Sequence, residues 1–344
     1  MVTLKTIADE AGVSTVTVSN VIHKKYGKVS PEKIDLINSI IAKYNYVPNA
    51  NARSLASKKS KIIGIIIPYV DESDNFLSSP YNMEIVGVLE SEIRGRNYFT
   101  MIRSASSVTE AIPIIKSWNV DGAIILGASE GDVELTMKEL SLPIIFVDSY
   151  SDCNHINVGV EDEKGGYLAT RFLISNGHKK IWFVGPELSE DGKGVIEERF
   201  RGYMRALKES NLQGEKKWVY AHRTQYNCGI DVGKAIAFEK DRPTAVFATS
   251  DIVALGITEG LRLSGVNVPE DISVVGFDNL PEGQYAYPKL TTVCQNIQEK
   301  GKLVAKTLFD VLEKDAAREI DIKNYRLDEK IGVELVERNS VRSL

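Results

Sequence analysis

LKTIADEAGVSTVTVSNVI, residues 4–22, reads as two short helices joined by a tight turn. Leu4, Ile7, Ala8 and Ala11 recur at helical spacing on one face, and Thr3 stands where an N-cap side chain would accept a backbone N–H. Gly12-Val13 has the length and composition of a helix-turn-helix corner, after which Ser14 caps a second helix, Thr15 to Ile22. Val18, Val21 and Ile22 take the core side, leaving Thr15, Val16, Thr17 and Asn20 outward. An asparagine amide can pair bidentately with adenine, and Val or the Thr methyl can touch a thymine methyl, so these four are candidate base readers. A third helix opens with Ser30-Pro31-Glu32 and runs to about Asn45, with Ile34, Ile37, Ile40 and Ile41 inward. On pattern alone a plain three-helix bundle with no ligand also fits.

Charge and the following segment favour a DNA-binding head. Residues 1–60 carry nine Lys/Arg against four Asp/Glu, while the remaining chain carries 33 against 43, so a head of +5 precedes a body of −10. Such a division suits a phosphate-binding module on a body that does not bind phosphate. Pro48 to Ala56 can form a short helix with small residues on one face and the lone apolar Leu55; at this length it is marginal by itself. Small residues permit close approach to a groove floor, and a single apolar side chain can wedge between base steps.

The run LKTIADEAGVSTVTVSNVI…VSPEKI…YVPNANARSLAS, followed by IIGIIIP, resembles the LacI/GalR family of bacterial transcription regulators, and the likeness extends to ELVERNS near the C-terminus. The resemblance implies an all-α helix-turn-helix head with a hinge helix, then two doubly wound parallel-sheet lobes of the periplasmic-binding-protein type. It places Thr15, Val16 and Asn20 at bases in the major groove and Ala52 and Leu55 in the minor groove, with Leu55 of two protomers kinking the central step. Asn49 and Arg53 complete the expected DNA-contacting set. Many relatives carry Arg at the position of Asn20, so asparagine there implies a different base preference.

The body supports that architecture independently. Strands are expected at Ile62–Pro68, Tyr98–Ile102, Gly122–Leu126, Pro143–Asp148, Lys180–Gly185, Ala245–Ala248 and Ile272–Phe277, alternating with amphipathic helical stretches. Continuous apolar strands separated by helices mean parallel sheets covered on both faces, and their number favours two lobes. The expected division is a head at 1–47, a hinge and linker at 48–60, and a core at 61–344. The resemblance implies chain crossings between lobes near Val160, Thr291 and Lys323, giving a first lobe of about 61–160 and 292–322 and a second of about 161–291 and 323–344.

Ligands of open parallel sheets sit beyond the carboxyl ends of the strands, where IIFVD ends at Asp148 and ISVVGFD ends at Asp278. A carboxylate there accepts hydrogen bonds from adjacent hydroxyls, and an arginine donates two in a fixed fork. The resemblance puts Arg199 at the ligand-gripping arginine, Asp278 at the hydroxyl-binding aspartate and Asp148 at a pocket edge. Tyr81 is a candidate aromatic wall. Ser250-Asp251 stands where sugar-binding relatives often have Asn-Asp, and Tyr226, the obvious stacking candidate, lies two places from the expected position, which Thr224 occupies.

A hydrolase is the competing class. Gly127-Ala128-Ser129-Glu130-Gly131 fits GxSxG between a strand and a helix, and His178 or His222 with Asp148 or Asp278 would be needed to complete a triad. Both histidines precede Asp278, so only Asp148 preserves the hydrolase order, and His178 in NGHKKI reads more simply as a helix-ending turn. Gly192-Lys193-Gly194 lacks the spacing and the following Ser/Thr of a phosphate loop. Cys153, Cys228 and Cys294 form neither a disulfide framework nor a metal spacing. The expectation is therefore a cytoplasmic, non-enzymatic, homodimeric repressor of a carbohydrate-use operon, without cofactor, metal or membrane segment. Its partners are palindromic double-stranded operator DNA and a small sugar-like effector, with a nucleobase-responsive repressor as the alternative within the family.

Overall fold

A computed structural model describes residues 2–27, 29–47, 59–69, 75–189, 192–212 and 217–344. By internal contacts the chain divides into Met1–Ser60 and Lys61–Leu344. The first unit contains α1 (Leu4–Ala11), α2 (Thr15–Ile22) and α3 (Pro31–Lys43). Thr3 accepts the Thr6 N–H at 3.2 Å, and Ser14 accepts that of Thr17 at 3.1 Å, so both expected caps form. Gly12 ends α1 at φ 62, a left-handed conformation that costs glycine little. Ile7, Ala8 and Ala11 meet Val18, Val21, Ile37 and Ile40 in one core. α3 stops at Lys43, short of Asn45, because Asn45 itself takes a positive φ of 46.

Among the described residues the second unit holds two six-stranded sheets. Its first sheet comprises β1 (Ile62–Pro68), β2 (Phe99–Ala105), β3 (Gly122–Leu126), β4 (Ile144–Val147), β5 (Ile156–Val160) and β11 (Leu327–Ile331), ordered β11-β5-β4-β3-β1-β2 and wholly parallel. The second comprises β6 (Ile181–Gly185), β7 (Lys217–Tyr220), β8 (Ala245–Ala248), β9 (Ser273–Asp278), β10 (Thr291–Cys294) and β12 (Glu334–Val336), ordered β12-β10-β9-β8-β6-β7. There only β12 runs antiparallel to its neighbour. β3, β4, β6, β8 and β9 are buried along their whole length, which is why they read as unbroken apolar runs.

The connecting helices are α4 (Pro80–Gly95), α5 (Val108–Trp118), α6 (Glu130–Glu139), α7 (Asp162–Ser175), α8 (Val195–Glu209), α9 (Tyr226–Phe238), α10 (Asp251–Leu263), α11 (Pro281–Tyr285) and α12 (Ile297–Ala316). α12 lies against α4 and the first sheet, where Val304, Ala305, Leu308 and Val311 join a core with Ile63, Ile65, Ile85 and Leu89.

Two lobe crossings differ from expectation. Thr291–Cys294 does not open the first lobe: it pairs with Val275–Asp278 of β9, so the chain leaves the second sheet only after Cys294. Leu327–Ile331 does not belong to the second lobe either, since it extends the first sheet beside Ile156–Val160, and the last crossing falls after Ile331. Backbone pairing with distant strands decides both, and no local pattern encodes it.

Candidate functional site

Four of the six predicted ligand residues, Tyr81, Asp148, Arg199 and Asp278, come together at the carboxyl ends of the two sheets. Asp148 follows β4, Asp278 ends β9, Thr249 follows β8 and Gln295 follows β10, while Asp162 opens α7 directly after β5. Tyr81 lies in the first turn of α4 and Arg199 in the second turn of α8. Asp148 and Asp278 sit at φ 57 and 128, a region where a non-glycine residue costs roughly 1–3 kcal/mol and which concentrates at functional positions.

Two buried polar chains run through this cluster. In one, the Tyr81 hydroxyl donates to Asp148 Oδ2 at 2.8 Å, and Lys300 Nζ reaches that oxygen at 2.5 Å, the Tyr81 hydroxyl at 3.0 Å and Gln295 Oε1 at 3.0 Å. Gln295 Nε2 then donates to Asp278 Oδ1 at 2.5 Å. In the other, Arg199 Nε donates to Asp162 Oδ1 at 2.8 Å and Nη1 to the Thr249 carbonyl at 2.5 Å, while the Tyr150 hydroxyl donates to Asp162 Oδ2 at 2.5 Å. The guanidinium stacks 3.5 Å from the Phe277 ring centre. Asp148 Oδ1 and Thr249 Oγ1 are buried without a hydrogen-bond partner among the described residues. Buried polar atoms are nearly always paired; the carboxylate oxygen can only accept, while the hydroxyl can accept or donate.

Electrostatics follow from burial. Loss of solvent raises Asp278 to about 6, against the opposing pull of Arg199 and the Gln295 hydrogen bond. Behind it, Asp251 is raised by burial and then by Asp278 to about 7, although it accepts from Thr292 Oγ1 at 2.5 Å and the Leu280 N–H at 2.8 Å. Burial also raises Asp162, opposed by Arg199, and lifts Tyr81 well above its ordinary range with Asp148 adding to the effect. The folded state thus keeps protons on Asp251 and Asp278 that the unfolded chain releases near pH 4. That contribution to stability is present below pH 4 and is lost as pH rises through 6 and 7. Thermal melts are therefore expected to show higher Tm at pH 5.5 than at pH 8, with the difference reduced in Asp251→Asn; an unchanged slope in that variant would contradict the assignment.

The other expected residues have different engagements. Ser250 N-caps α10 by accepting the Val253 N–H at 3.3 Å, so its hydroxyl is engaged in the cap. Tyr226 opens α9, is 39% exposed, and feels Glu259 and Arg262 further along α10 rather than the cluster. Ser129 N-caps α6 and donates to Asp132 at 2.7 Å, while His178 lies between Thr244 Oγ1 and the Arg342 carbonyl, and His222 pairs with the Tyr220 hydroxyl. No Ser-His-Asp relay assembles among these residues. The two motif-like loops instead meet each other: Lys193 Nζ bonds Glu130 at 2.7 Å and Asp152 at 2.6 Å. Among the described residues no His, Cys, Asp or Glu group is arranged to hold a metal, and no helix is long and apolar enough to cross a membrane.

On α2, Thr15 and Val16 are exposed, Val16 to 66%, and Asn20 is half-buried with no side-chain hydrogen bond among the described residues. Thr17 is half-buried, its hydroxyl 2.9 Å from Ser14 Oγ, so it belongs to the cap as much as to the outer face. Asn49, Ala52, Arg53 and Leu55 lie outside the described residues.

Lys300, Gln295, Asp162, Tyr150 and Thr249 were not expected at the cleft. Lys300 left a trace in the sequence, since it stands on the helical stripe Ile297, Gly301, Val304, Leu308 and Val311, where an ammonium has no reason to be without buried partners.

Comparison with known proteins agrees with this arrangement. Residues 3–49 match the model of bacterial regulatory proteins of the lacI family, and residues 170–341 match the periplasmic binding protein-like domain. The chain is 31% identical to the HTH-type transcriptional repressor PurR of Mannheimia succiniciproducens, over the whole length of both. It is 32% identical to the ribose operon repressor of Haemophilus influenzae, covering 90% of this chain and 91% of that one. A crystal structure of the lac repressor dimer bound to operator and the anti-inducer ONPF superposes with a TM-score of 0.85 at 25% identity, over 99% of each chain. The helix-turn-helix head, the paired parallel-sheet lobes and these likenesses make the chain a transcriptional repressor of the lacI family rather than an enzyme.

Proposed function

We propose that this repressor binds a palindromic operator as a homodimer in the cytoplasm and is switched by a small polyhydroxylated effector, a sugar or sugar derivative, governing a carbohydrate-use operon. Two heads would lie in successive major grooves, as two-fold symmetry and groove spacing require, with Thr15, Val16, Thr17 and Asn20 toward the bases. Asn49, Ala52, Arg53 and Leu55 would contact the minor groove from the linker. Asp148, Arg199 and Asp278 would grip the effector, with Tyr81 behind Asp148, and lobe closure would alter how the linker meets DNA.

The observation that carries the sugar reading is the pair of buried oxygens, Asp148 Oδ1 and Thr249 Oγ1, at strand ends that also hold the Arg199 guanidinium. Vicinal hydroxyls supply donors to the first two and an acceptor for the third. The similarity to a protein named for the ribose operon points the same way. A thermal-shift screen against sugars, sugar phosphates and nucleobases tests this, because a ligand of the folded state raises Tm by mass action. A sugar is expected to give the shift; a nucleobase hit with none among sugars would overturn the effector class.

A further inference from the structure

We propose that Lys300 sets the effector specificity of the cleft by holding its ammonium out of reach of ligands, so that the site accepts uncharged molecules and rejects phosphorylated ones. The inference rests on the reading of this cleft as the effector site. Lys300 is wholly buried, and its three N–H groups match three acceptors: Asp148 Oδ2 at 2.5 Å, the Tyr81 hydroxyl at 3.0 Å and Gln295 Oε1 at 3.0 Å. No donor on Lys300 remains for a ligand.

The same bonds orient the neighbours. With its oxygen facing Lys300, Gln295 presents its amide nitrogen to Asp278 Oδ1 at 2.5 Å. With Oδ2 held by Lys300 and Tyr81, Asp148 keeps Oδ1 without a partner among the described residues. Beside that free carboxylate oxygen, the donors not engaged among the described residues are the Thr249 hydroxyl and the remaining N–H groups of Arg199, none of them on Lys300.

Charge points the same way. Asp148, Asp162 and Asp278 face Lys300 and Arg199, three carboxylates against two cations, and Asp251 lies behind Asp278 within the influence of Arg338. A phosphate, which brings further negative charge, meets two cations already paired with carboxylates. A hydroxyl or ring N–H meets the partner that Asp148 lacks.

Asp148→Asn is the decisive variant, because it removes one negative charge and weakens the hold on Lys300 without changing side-chain size. Calorimetric titration of the full-length protein with D-ribose, D-ribose 5-phosphate and inorganic phosphate should show no phosphate binding in the wild type. The single variant should bind the phosphate probes about tenfold to 100-fold more tightly than the weakest binding the titration detects, as one freed charge-assisted contact implies. Asp148→Asn combined with Lys300→Met should lose that gain, which assigns it to the ammonium rather than to the lost carboxylate. Phosphate binding by the wild type, no gain in Asp148→Asn, or a gain that persists in the double variant would each overturn the proposal. Operator binding and melting temperature confirm that both variants fold. If no uncharged sugar binds the wild type, the sugar reading fails, while the phosphate arms still judge Lys300.

Discussion

Arg199→Ala is expected to destabilise the ligand-binding unit by about 3–5 kcal/mol, because it leaves Asp162 as an unpaired carboxylate in the interior. The side chains of Arg199 and Asp162 are 7% and 0% exposed, and burial already raises Asp162 even with its partner present. The guanidinium also serves the Thr249 carbonyl and the face of Phe277, so alanine removes a hydrogen bond and a stacking contact as well. Family resemblance alone suggests a milder outcome, in which the effector response disappears and operator binding persists. The geometry makes Arg199 structural first. Urea melts should show the loss, and Asp162→Leu combined with Arg199→Met should recover most of it, since a buried ion pair can be exchanged for apolar packing at little net cost. A single alanine variant as stable as wild type would mean that the pair is solvated.

Gly202→Ala is expected to cost several kcal/mol and to disturb the same arginine. A Cβ on Gly202 would stand 1.9 Å from the Glu163 carbonyl oxygen and 2.5 Å from the Tyr167 nitrogen. Both are backbone atoms of α7, so no rotamer change relieves the clash and the helices must separate. The contact is reciprocal, since a Cβ on Gly166 would lie 2.1 Å from the carbonyl oxygen of Arg199 itself. Overpacking of this kind usually costs about 1–3 kcal/mol, and more where backbone must move. Because α7 carries Asp162 and α8 carries Arg199, separation also stretches their 2.8 Å ion pair. Thermal melts together with effector titration check this; unchanged melting would show that the two helices are further apart than described.

Much of the architecture was legible because local chemistry agreed with global placement. Ser14 and Thr3 announce helices that their neighbours then bury, and β3, β4 and β9 are apolar throughout because both faces are covered. Asp148 and Asp278 were legible as acids ending such strands. The rest was hidden by sequence distance. Lys300 meets Asp148 across 152 positions and Tyr81 across 219, so the partners that make a buried ammonium acceptable are invisible from within α12. β5, INVGV, carries an asparagine and a glycine and does not read as a strand; it is placed by pairing with β4 and β11. Tyr226 was legible only as an aromatic near the expected position; it begins α9 and is 39% exposed.

On the proposed function, effector binding at the strand ends and operator binding by the helical head are coupled in one switch. The most direct test is to select a high-affinity duplex from random DNA with the full-length protein, then titrate that duplex by fluorescence anisotropy with and without the sugar found by thermal shift. The account predicts a palindromic selected site and an effector-induced change in affinity of about 5 to 150-fold, the usual range of allosteric coupling. A sugar that raises Tm yet leaves affinity for that duplex unchanged at saturation would contradict it.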